Sequence, residues 1–405
     1  MKRPPFETIA LVLQGGGALG AYQAGVYEGL HEAGVEPDWA AGISIGAINA
    51  ALIAGNPRER RIERLHAFWD TVTAPALLPA TPTWWSDWVE RTMPAARTAL
   101  GYVEATRALF EGQRGFFVPR WPSPAFATES PLASLSHYDT APLRGTLERL
   151  VDFERINHPR NPMRLTLAAV HVGNGNDELF DSAKGQWAGR IGPEHVMASG
   201  ALPPGFAAVE IDGEVYWDGG LVSNTPLATV VEDLPRRDTL AFQVDLWSAK
   251  GPLPRNLLDV EERGKDIRFS SRTRAVTAML ERERHLRRVL REVLERVPAS
   301  ARRGDAWCRE AEALASDKRF AVVHLIYQEK PWDLHHKDYE FSAASMRDHW
   351  ASGLADIRGS LARPDWLAPP PPERSSVTHD LHRPGEQGVA GRTMTAIKRS
   401  RRSIP

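Results

Sequence analysis

Apolar and polar positions at the start of the chain follow the pattern of a strand, a helix and a second strand. The uninterrupted apolar run at residues 9–13 predicts a buried strand, and residues 18–33, which stop at Gly34, have helical spacing. Residues 40–43 predict the next strand. Two parallel strands of one sheet are joined by a right-handed crossover, here the predicted helix. Both strands therefore end at the same edge of the sheet. Open α/β sheets bind their ligands at that edge, and we expect a site there.

The pattern changes after about residue 250. Apolar residues recur at helical spacing between arginines in residues 276–297, which predicts an amphipathic helix. Residues 319–328 predict a strand, and residues 337–357 predict a loop with a closing helix. From Pro369 onward the chain has little to bury and no periodicity, which predicts disorder.

These patterns divide the chain into three regions. We expect residues 1–250 to form the main α/β domain, residues 251–365 to form a helical extension with one added strand, and residues 366–405 to form a disordered basic tail. The added strand leaves open whether the extension is an independent domain or an integrated cover of the main sheet.

The composition is that of an ordinary globular protein. Fifty basic and 51 acidic side chains among 405 residues give a net charge of −1, so no global field attracts nucleic acid or anionic membrane, and we expect no nucleic-acid partner. The single cysteine, Cys308, can form neither an internal disulfide nor a cysteine metal cluster, which suits a reducing compartment. We expect a cytoplasmic protein without a membrane-spanning segment, while peripheral membrane contact and the oligomeric state stay open.

A glycine cluster follows the first predicted strand. Gly15, Gly16 and Gly17 come directly after it, and Gly20 follows three residues later. Such a turn before a helix suits either the pyrophosphate of a dinucleotide or an oxyanion. A dinucleotide site needs an acidic residue at the end of the second strand, whereas Asp38 precedes that strand.

The second predicted strand ends in the form of a nucleophile elbow. Gly42, Ser44 and Gly46 make a Gly-x-Ser-x-Gly turn that leads directly into a helix of small residues. Flanking glycines are needed there because side chains would collide with the neighbouring strand and helix. Because the elbow and the glycine cluster lie one β–α–β unit apart, they favour the oxyanion interpretation.

A serine nucleophile needs a base, and Asp218 is a candidate. It stands before Gly219 and Gly220 at the end of a short alternating strand. An Asp-Gly pair is by itself a common turn, but a carboxylate beside Ser44 can also accept its proton directly.

In this chain order, the three motifs resemble those of the patatin-like phospholipase family, and the resemblance covers roughly residues 8–245. It implies a three-layer α/β/α fold with a mostly parallel central sheet. It also implies a Ser–Asp dyad, with Ser44 as nucleophile, Asp218 as base and the N–H groups of Gly15, Gly16 and Gly17 as oxyanion hole. Residues 251–365 resemble the C-terminal extension of a subset of bacterial patatin-like proteins. No cofactor or metal is required.

One departure bears on the substrate. Many family members carry Arg or Lys just before the last glycine of the first motif, where this chain has Leu19. A cation near the oxyanion site is therefore missing at that position. We expect an acyl-ester lipid as substrate rather than a phospholipid specifically; headgroup and chain preference stay open.

Two other functions fit parts of the pattern. A Ser–His–Asp hydrolase would use His324, which lies inside a predicted strand and equally suits a role in the sheet, as does His171. A catalytically weak lipid-binding or regulatory protein on the same fold is the other alternative.

The connection between the elbow and Asp218 is unusually aromatic. It suits core packing, a cap or acyl-chain wall over Ser44, or a surface for membrane contact. Its aromatic residues are Trp84, Trp85, Trp88, Phe110, Phe116, Phe117, Trp121 and Phe126.

Overall fold

The computed structural model of the chain describes residues 1–73, 94–124, 131–330, 332–333, 335–371 and 374–382. The strands are β1 (Thr8–Leu13), β2 (Trp39–Gly42), β3 (Val118–Pro119), β4 (Tyr138–Asp139), β5 (Arg164–His171), β6 (Asp177–Asp181), β7 (Val209–Ile211), β8 (Glu214–Asp218), β9 (Thr239–Asp245), β10 (Phe320–Ile326) and β11 (Ser376–Asp380). The helices are α1 (Ala21–Ala33), α2 (Ile45–Ala54), α3 (Arg61–Val72), α4 (Pro94–Glu111), α5 (Ala141–Leu150), α6 (Phe153–Asn157), α7 (Pro193–Ser199), α8 (Leu227–Val231), α9 (Leu257–Arg296), α10 (Ala299–Arg302), α11 (Ala306–Leu314) and α12 (Ala343–Leu361).

One large sheet organises the described residues. Its strands run in the order β11-β10-β9-β1-β2-β5-β8-β7, and β6 also pairs with β5. Every neighbouring pair from β11 to β5 is parallel. Strands β6 and β8 run antiparallel to β5, and β7 runs antiparallel to β8. The prediction of a mostly parallel central sheet is confirmed.

Helices cover both faces of this sheet. Ile9, Leu11 and Leu13 of β1 belong to an apolar cluster that includes side chains of α1, α2 and α12. Ala10 and Val12 point the opposite way, into a second cluster with side chains of α8 and α9. Because successive side chains of a strand face opposite sides, the sheet lies between two helical layers.

The first β–α–β unit forms as the sequence predicts. Strand β1 is buried along its whole length, and α1 ends at Gly34, whose φ of 73° favours glycine. Every residue of α2 is buried, which explains why all of that helix except Asn49 is small or aliphatic. Leu13 of β1 lies beside Gly42 of β2, so the glycine cluster and the elbow leave the sheet side by side.

The extension is built into the sheet and its helical cover. Strand β10 pairs with β9, and α12 crosses α1 at very close range. A Cβ on Gly25 would lie 2.0 Å from the Trp350 carbonyl oxygen, and one on Gly353 would lie 2.0 Å from the Tyr22 carbonyl oxygen. The two helices can approach this closely only because each has a glycine at the contact.

The start of the tail differs from the sequence prediction. Residues 376–380 form β11 at the edge of the sheet, because β10 offers an unpaired edge on which a short polar strand can pair. The rest of the tail, from residue 383, lies outside the described residues. Among the described helices, none has the length and apolar character needed to cross a bilayer.

Candidate active site

Ser44 sits in a tight turn between β2 and α2. Its φ of 57° is a rare conformation for a residue with a side chain. The Ser44 backbone N–H donates to the carbonyl and hydroxyl oxygens of Ser199, at 3.0 and 3.1 Å. A Cβ on Gly42 would lie 2.2 Å from the Gly46 carbonyl oxygen, and one on Gly46 would lie 2.3 Å from the Leu13 carbonyl oxygen. Both flanking glycines are therefore required by this turn.

Asp218 lies at the end of β8 and faces Ser44. Asp218 is 2% exposed, and its carboxylate accepts a hydrogen bond from the Gly220 N–H at 2.7 Å. Burial raises the pKa of Asp218 to about 6, although the Gly220 N–H and the Ser44 side chain act in the opposite direction and lower it. Gly219 lets the chain pass β5, since a Cβ there would lie 2.6 Å from the Ala168 carbonyl oxygen. The structure thus joins two predicted residues that are far apart in the chain.

The glycine cluster lies against the elbow. A Cβ on Gly15 would lie 3.2 Å from the Ser44 Cβ and 2.5 Å from the Asn224 amide oxygen. The Gly15 N–H donates to the Asn224 carbonyl at 3.2 Å, so this predicted oxyanion donor already has an acceptor. Within the described part of the chain, the N–H groups of Gly16 and Gly17 have no protein acceptor.

Close contacts also account for the other glycines of the motifs. A Cβ on Gly20 would lie 2.4 Å from Ile45, at the start of α2. A Cβ on Gly220 would lie 3.0 Å from both the Asp218 carboxylate and the Asn224 amide oxygen. Gly17 has a φ of 56°, and a Cβ there would lie 2.0 Å from the Asp338 carbonyl oxygen.

An apolar cavity of about 320 Å³ opens beside Ser44 and Asp218. Aromatic rings make much of its wall: the ring of Phe206 lies 5.8 Å from that of Phe116 and 5.3 Å from that of Phe117. The carboxylates that line it are Asp218 and Asp338, and Lys265 binds Asp338 at 2.9 Å. Among the described lining residues there is no lysine, arginine or histidine.

The aromatic residues between the elbow and Asp218 differ in how deeply they are buried. Phe116 and Phe117 are buried in the cavity wall, whereas Phe110 and Trp121 are 79% and 93% exposed. Trp84, Trp85, Trp88 and Phe126 lie outside the described residues.

The histidines considered from the sequence lie elsewhere. The Nε2 atom of His324 lies 2.6 Å from the Asp245 carboxylate, between strands β10 and β9, and His324 does not line the cavity. His171 pairs with Glu214 at 2.7 Å. Among the described residues, no group of three or more His, Cys, Asp or Glu could hold a metal ion.

Sequence reasoning missed the residues that surround the glycine cluster. The Asn224 amide and the Trp247 indole N–H donate to the Gly15 carbonyl oxygen, at 3.0 and 2.9 Å. The Asp338 carbonyl accepts from the Ala18 N–H at 2.8 Å. Asn224 follows the Asp218 motif closely enough to be found from it, but Trp247 and Asp338 carry no local signal.

Family profiles match two parts of the chain. The profile of a family described as patatin-like phospholipase matches residues 11–231, and a second profile, described as patatin phospholipase, matches residues 267–373. No curated protein matches the chain. Among solved structures, VipD from Legionella pneumophila is 14% identical, with 86% of this chain and 67% of that chain covered and a TM-score of 0.33. ExoU of Pseudomonas aeruginosa, solved with SpcU, is 17% identical, with 66% and 50% covered and a TM-score of 0.26.

Proposed function

The chain belongs to the patatin-like phospholipase family, which makes it a lipid hydrolase, and we propose that it cleaves carboxylic esters through a Ser44–Asp218 dyad. The observation that carries this proposal is that Ser44 and the buried carboxylate of Asp218 lie together in the wall of an apolar cavity, where the Ser44 side chain lowers the pKa of Asp218. A hydroxyl is a weak nucleophile until a base takes its proton. The raised pKa of Asp218, about 6, makes this carboxylate a stronger base than an ordinary aspartate while leaving it mostly ionised at neutral pH.

In the first half of the proposed reaction, Ser44 Oγ attacks the ester carbonyl and its proton passes to Asp218. The negative charge that develops on the carbonyl oxygen is stabilised by the Gly16 and Gly17 N–H groups, while Gly15 shapes the turn. The intermediate then expels the alcohol, which takes the proton from Asp218, and an acyl-enzyme remains on Ser44.

In the second half, a water gives a proton to Asp218 and attacks the acyl-enzyme. This attack forms a second tetrahedral intermediate. When the intermediate collapses, the proton passes from Asp218 to Ser44 Oγ and a fatty acid is released. The apolar cavity suits the acyl chain, and the absence of a cation among its described lining residues favours an acyl-ester lipid over recognition of a phosphate.

Labelling by a fluorophosphonate serine-hydrolase probe tests the dyad, with turnover of a p-nitrophenyl ester measured alongside. We expect Ser44→Ala to lose labelling and turnover, and Asp218→Asn to reduce turnover by about 10³-fold or more. Asp212→Asn is the matched control, because Asp212 lies in an exposed turn and pairs with Arg190. Turnover that persists in folded Ser44→Ala would refute the proposal, and an unlabelled, inactive wild type would favour a lipid-binding protein.

We also propose that the rim of this cavity contacts the membrane surface. Leu109 and Leu202 line the cavity and are 44% and 39% exposed, and Phe110 follows Leu109 directly. Tyr138 connects the segment of Leu109 to the segment that follows Leu202. Its hydroxyl donates to the Leu109 carbonyl and its N–H donates to the Gly205 carbonyl, both at 2.9 Å. The exposed Trp121 follows β3, the strand that pairs with β4 at Tyr138. Exposed aromatic residues beside an acyl-chain cavity suit the interface between headgroups and acyl chains.

If the cavity rim contacts the membrane, substitutions there should slow hydrolysis of esters in vesicles but not of soluble esters. The double variant Phe110→Ser/Trp121→Ser is expected to hydrolyse a soluble p-nitrophenyl ester normally but an ester embedded in phosphatidylcholine vesicles several-fold more slowly. Trp307→Ser is the control, because Trp307 is 77% exposed on α11 but does not line the cavity. Equal vesicle turnover in wild type and the double variant would refute membrane contact by this rim.

A further inference from the structure

A segment of the C-terminal extension contacts the glycine cluster directly. The Asp338 carbonyl oxygen accepts from the Ala18 N–H at 2.8 Å and occupies the space that a Cβ on Gly17 would need. Three residues farther along, Phe341 reaches the cavity wall, where its ring lies 6.0 Å from that of Phe116. The turn that presents the Gly16 and Gly17 N–H groups therefore rests on residues from the other end of the chain.

Buried charge holds this segment in place. Lys337 is 6% exposed, and its Nζ lies 2.9 Å from Asp266 and 3.1 Å from Glu262, both on α9. Glu329 completes the cluster at 3.5 Å from the same nitrogen. Burial and a hydrogen bond with Glu262 raise the pKa of Glu329 above its ordinary value.

Two further contacts connect this cluster to the glycines. Lys265 of α9 binds the Asp338 carboxylate at 2.9 and 3.1 Å, which fixes the residue whose carbonyl supports the turn. The Lys337 ammonium also lies 5.6 Å from the centre of the Trp247 ring, and the Trp247 indole donates to the Gly15 carbonyl. Both ends of the glycine turn are thus held through neighbours of Lys337.

We propose that Lys337 is a positioning residue for the oxyanion site, and that the extension holds the glycine turn in the geometry needed for catalysis. This inference rests on the proposed function, since it assigns a role in the same reaction. Oxyanion donors act only when they are held where the charge develops, and a loosely supported turn loses that alignment. The ground-state ester is bound mainly by the apolar cavity, so its affinity does not depend on Lys337.

The test compares full-length Lys337→Met, which removes the charge but keeps the aliphatic stem, with wild type on a soluble p-nitrophenyl ester. We expect kcat to fall by about tenfold or more and the KM to change by less than about twofold, because donors that act in the transition state are lost. Fluorophosphonate labelling should slow in parallel. Lys337→Arg, which keeps the charge, should recover part of kcat.

Lys318→Met is the matched control. Lys318 also joins the extension to the main body, through an ion pair with Glu7 at 2.8 Å, but it precedes β10 and lies at the opposite end of that strand from the site. Its kcat should stay within about twofold of wild type. If folded Lys337→Met kept wild-type kcat, or if its loss appeared in KM alone, the inference would be overturned.

Removing a buried charge can prevent folding, so a milder variant is needed as well. Lys265→Met removes the partner of the Asp338 side chain and the hydrogen bond to the His335 carbonyl, but the Lys265 side chain is 32% exposed and its loss leaves the buried cluster intact. We expect the same fall in kcat to a smaller degree, and an unchanged kcat in this folded variant would equally overturn the inference. Ser44→Ala separates the two proposals: if Ser44→Ala is inactive while Lys337→Met is fully active, only the positioning role fails.

Discussion

Asp218, the base of the proposed dyad, lowers the stability of the folded protein because it is ionisable and buried. Its pKa is raised to about 6 because burial disfavours the charged form, whereas an exposed aspartate titrates near 3.9. Between about pH 4 and 6 the folded protein therefore keeps a proton that the unfolded chain has released. The free energy of unfolding therefore falls as pH rises through this window. Above it, the folded protein is destabilised to the full extent by the ionised, buried Asp218.

Replacing this residue should separate activity from stability. Asp218→Asn is expected to be nearly inactive but more stable than wild type at pH 7, by up to about 3 kcal/mol, because it removes the ionised buried group. Urea denaturation at pH 4 and 7 measures this, and the difference between variant and wild type should shrink at the lower pH.

The activity of the wild type should follow the same ionisation. Since Asp218 must be deprotonated to act as base, kcat/KM is expected to rise with pH and to reach half its plateau near pH 6. A profile on a p-nitrophenyl ester that stayed flat between pH 5 and 8 would contradict this assignment of the base.

At the scale of elements, local pattern predicted best where burial was complete. Strands β1 and β2 are short apolar runs, and the glycine that ends α1 is visible in the sequence. Helix α9 begins at Leu257, about 20 residues before the predicted helix, because its first half mixes exposed leucines with charges and its Asn256 cap has no periodic signal. Strand β11 could not be predicted, since its half-buried polar residues are ordered by pairing with β10.

The crossing of α1 and α12 gives a test at this scale. Gly25→Ala is expected to destabilise the protein by about 1–3 kcal/mol, because the new Cβ would press on the Trp350 carbonyl, which is backbone and cannot rotate away. Gly264→Ala in α9 is the control, since a Cβ there would meet nothing within 4 Å and alanine favours a helix. Chemical denaturation should give opposite signs for the two variants, and equal stabilities would contradict the close packing.

At the scale of the whole molecule, the sequence predicted the three motifs but not the residues that pack against them. Ser44 and the glycine cluster meet because parallel strands end at one edge of the sheet, which the order of elements predicts. Asp218 joins them from β8, which runs antiparallel to β5, and only the resemblance to a family led to that pairing. The contacts of Trp247 and Asp338 depend on how the extension packs, and no local pattern encodes such packing.

Truncation tests how far the extension belongs to the fold. A chain ending at residue 250 would expose the edge of β9 and the face of α1 that α12 covers, and we expect it to be insoluble. A chain ending at residue 382 keeps the described contacts and should have the circular dichroism and ester turnover of the full chain. A soluble 1–250 fragment with full fluorophosphonate labelling would contradict this integration.

The hydrogen bond between Ala18 and Asp338 can form only late in the synthesis of the chain. Ribosomes add about 5–20 residues per second, so the two halves of this contact, roughly 320 residues apart, emerge about 15–60 s apart. During that interval the nascent chain carries Ser44 without the support of its glycine turn. Fluorophosphonate labelling of ribosome-stalled chains should therefore begin only after residue 338 has left the exit tunnel. If the extension positions the glycine turn as proposed, such an order of synthesis keeps an unfinished lipid hydrolase inactive until all but roughly the last sixth of the chain has been translated.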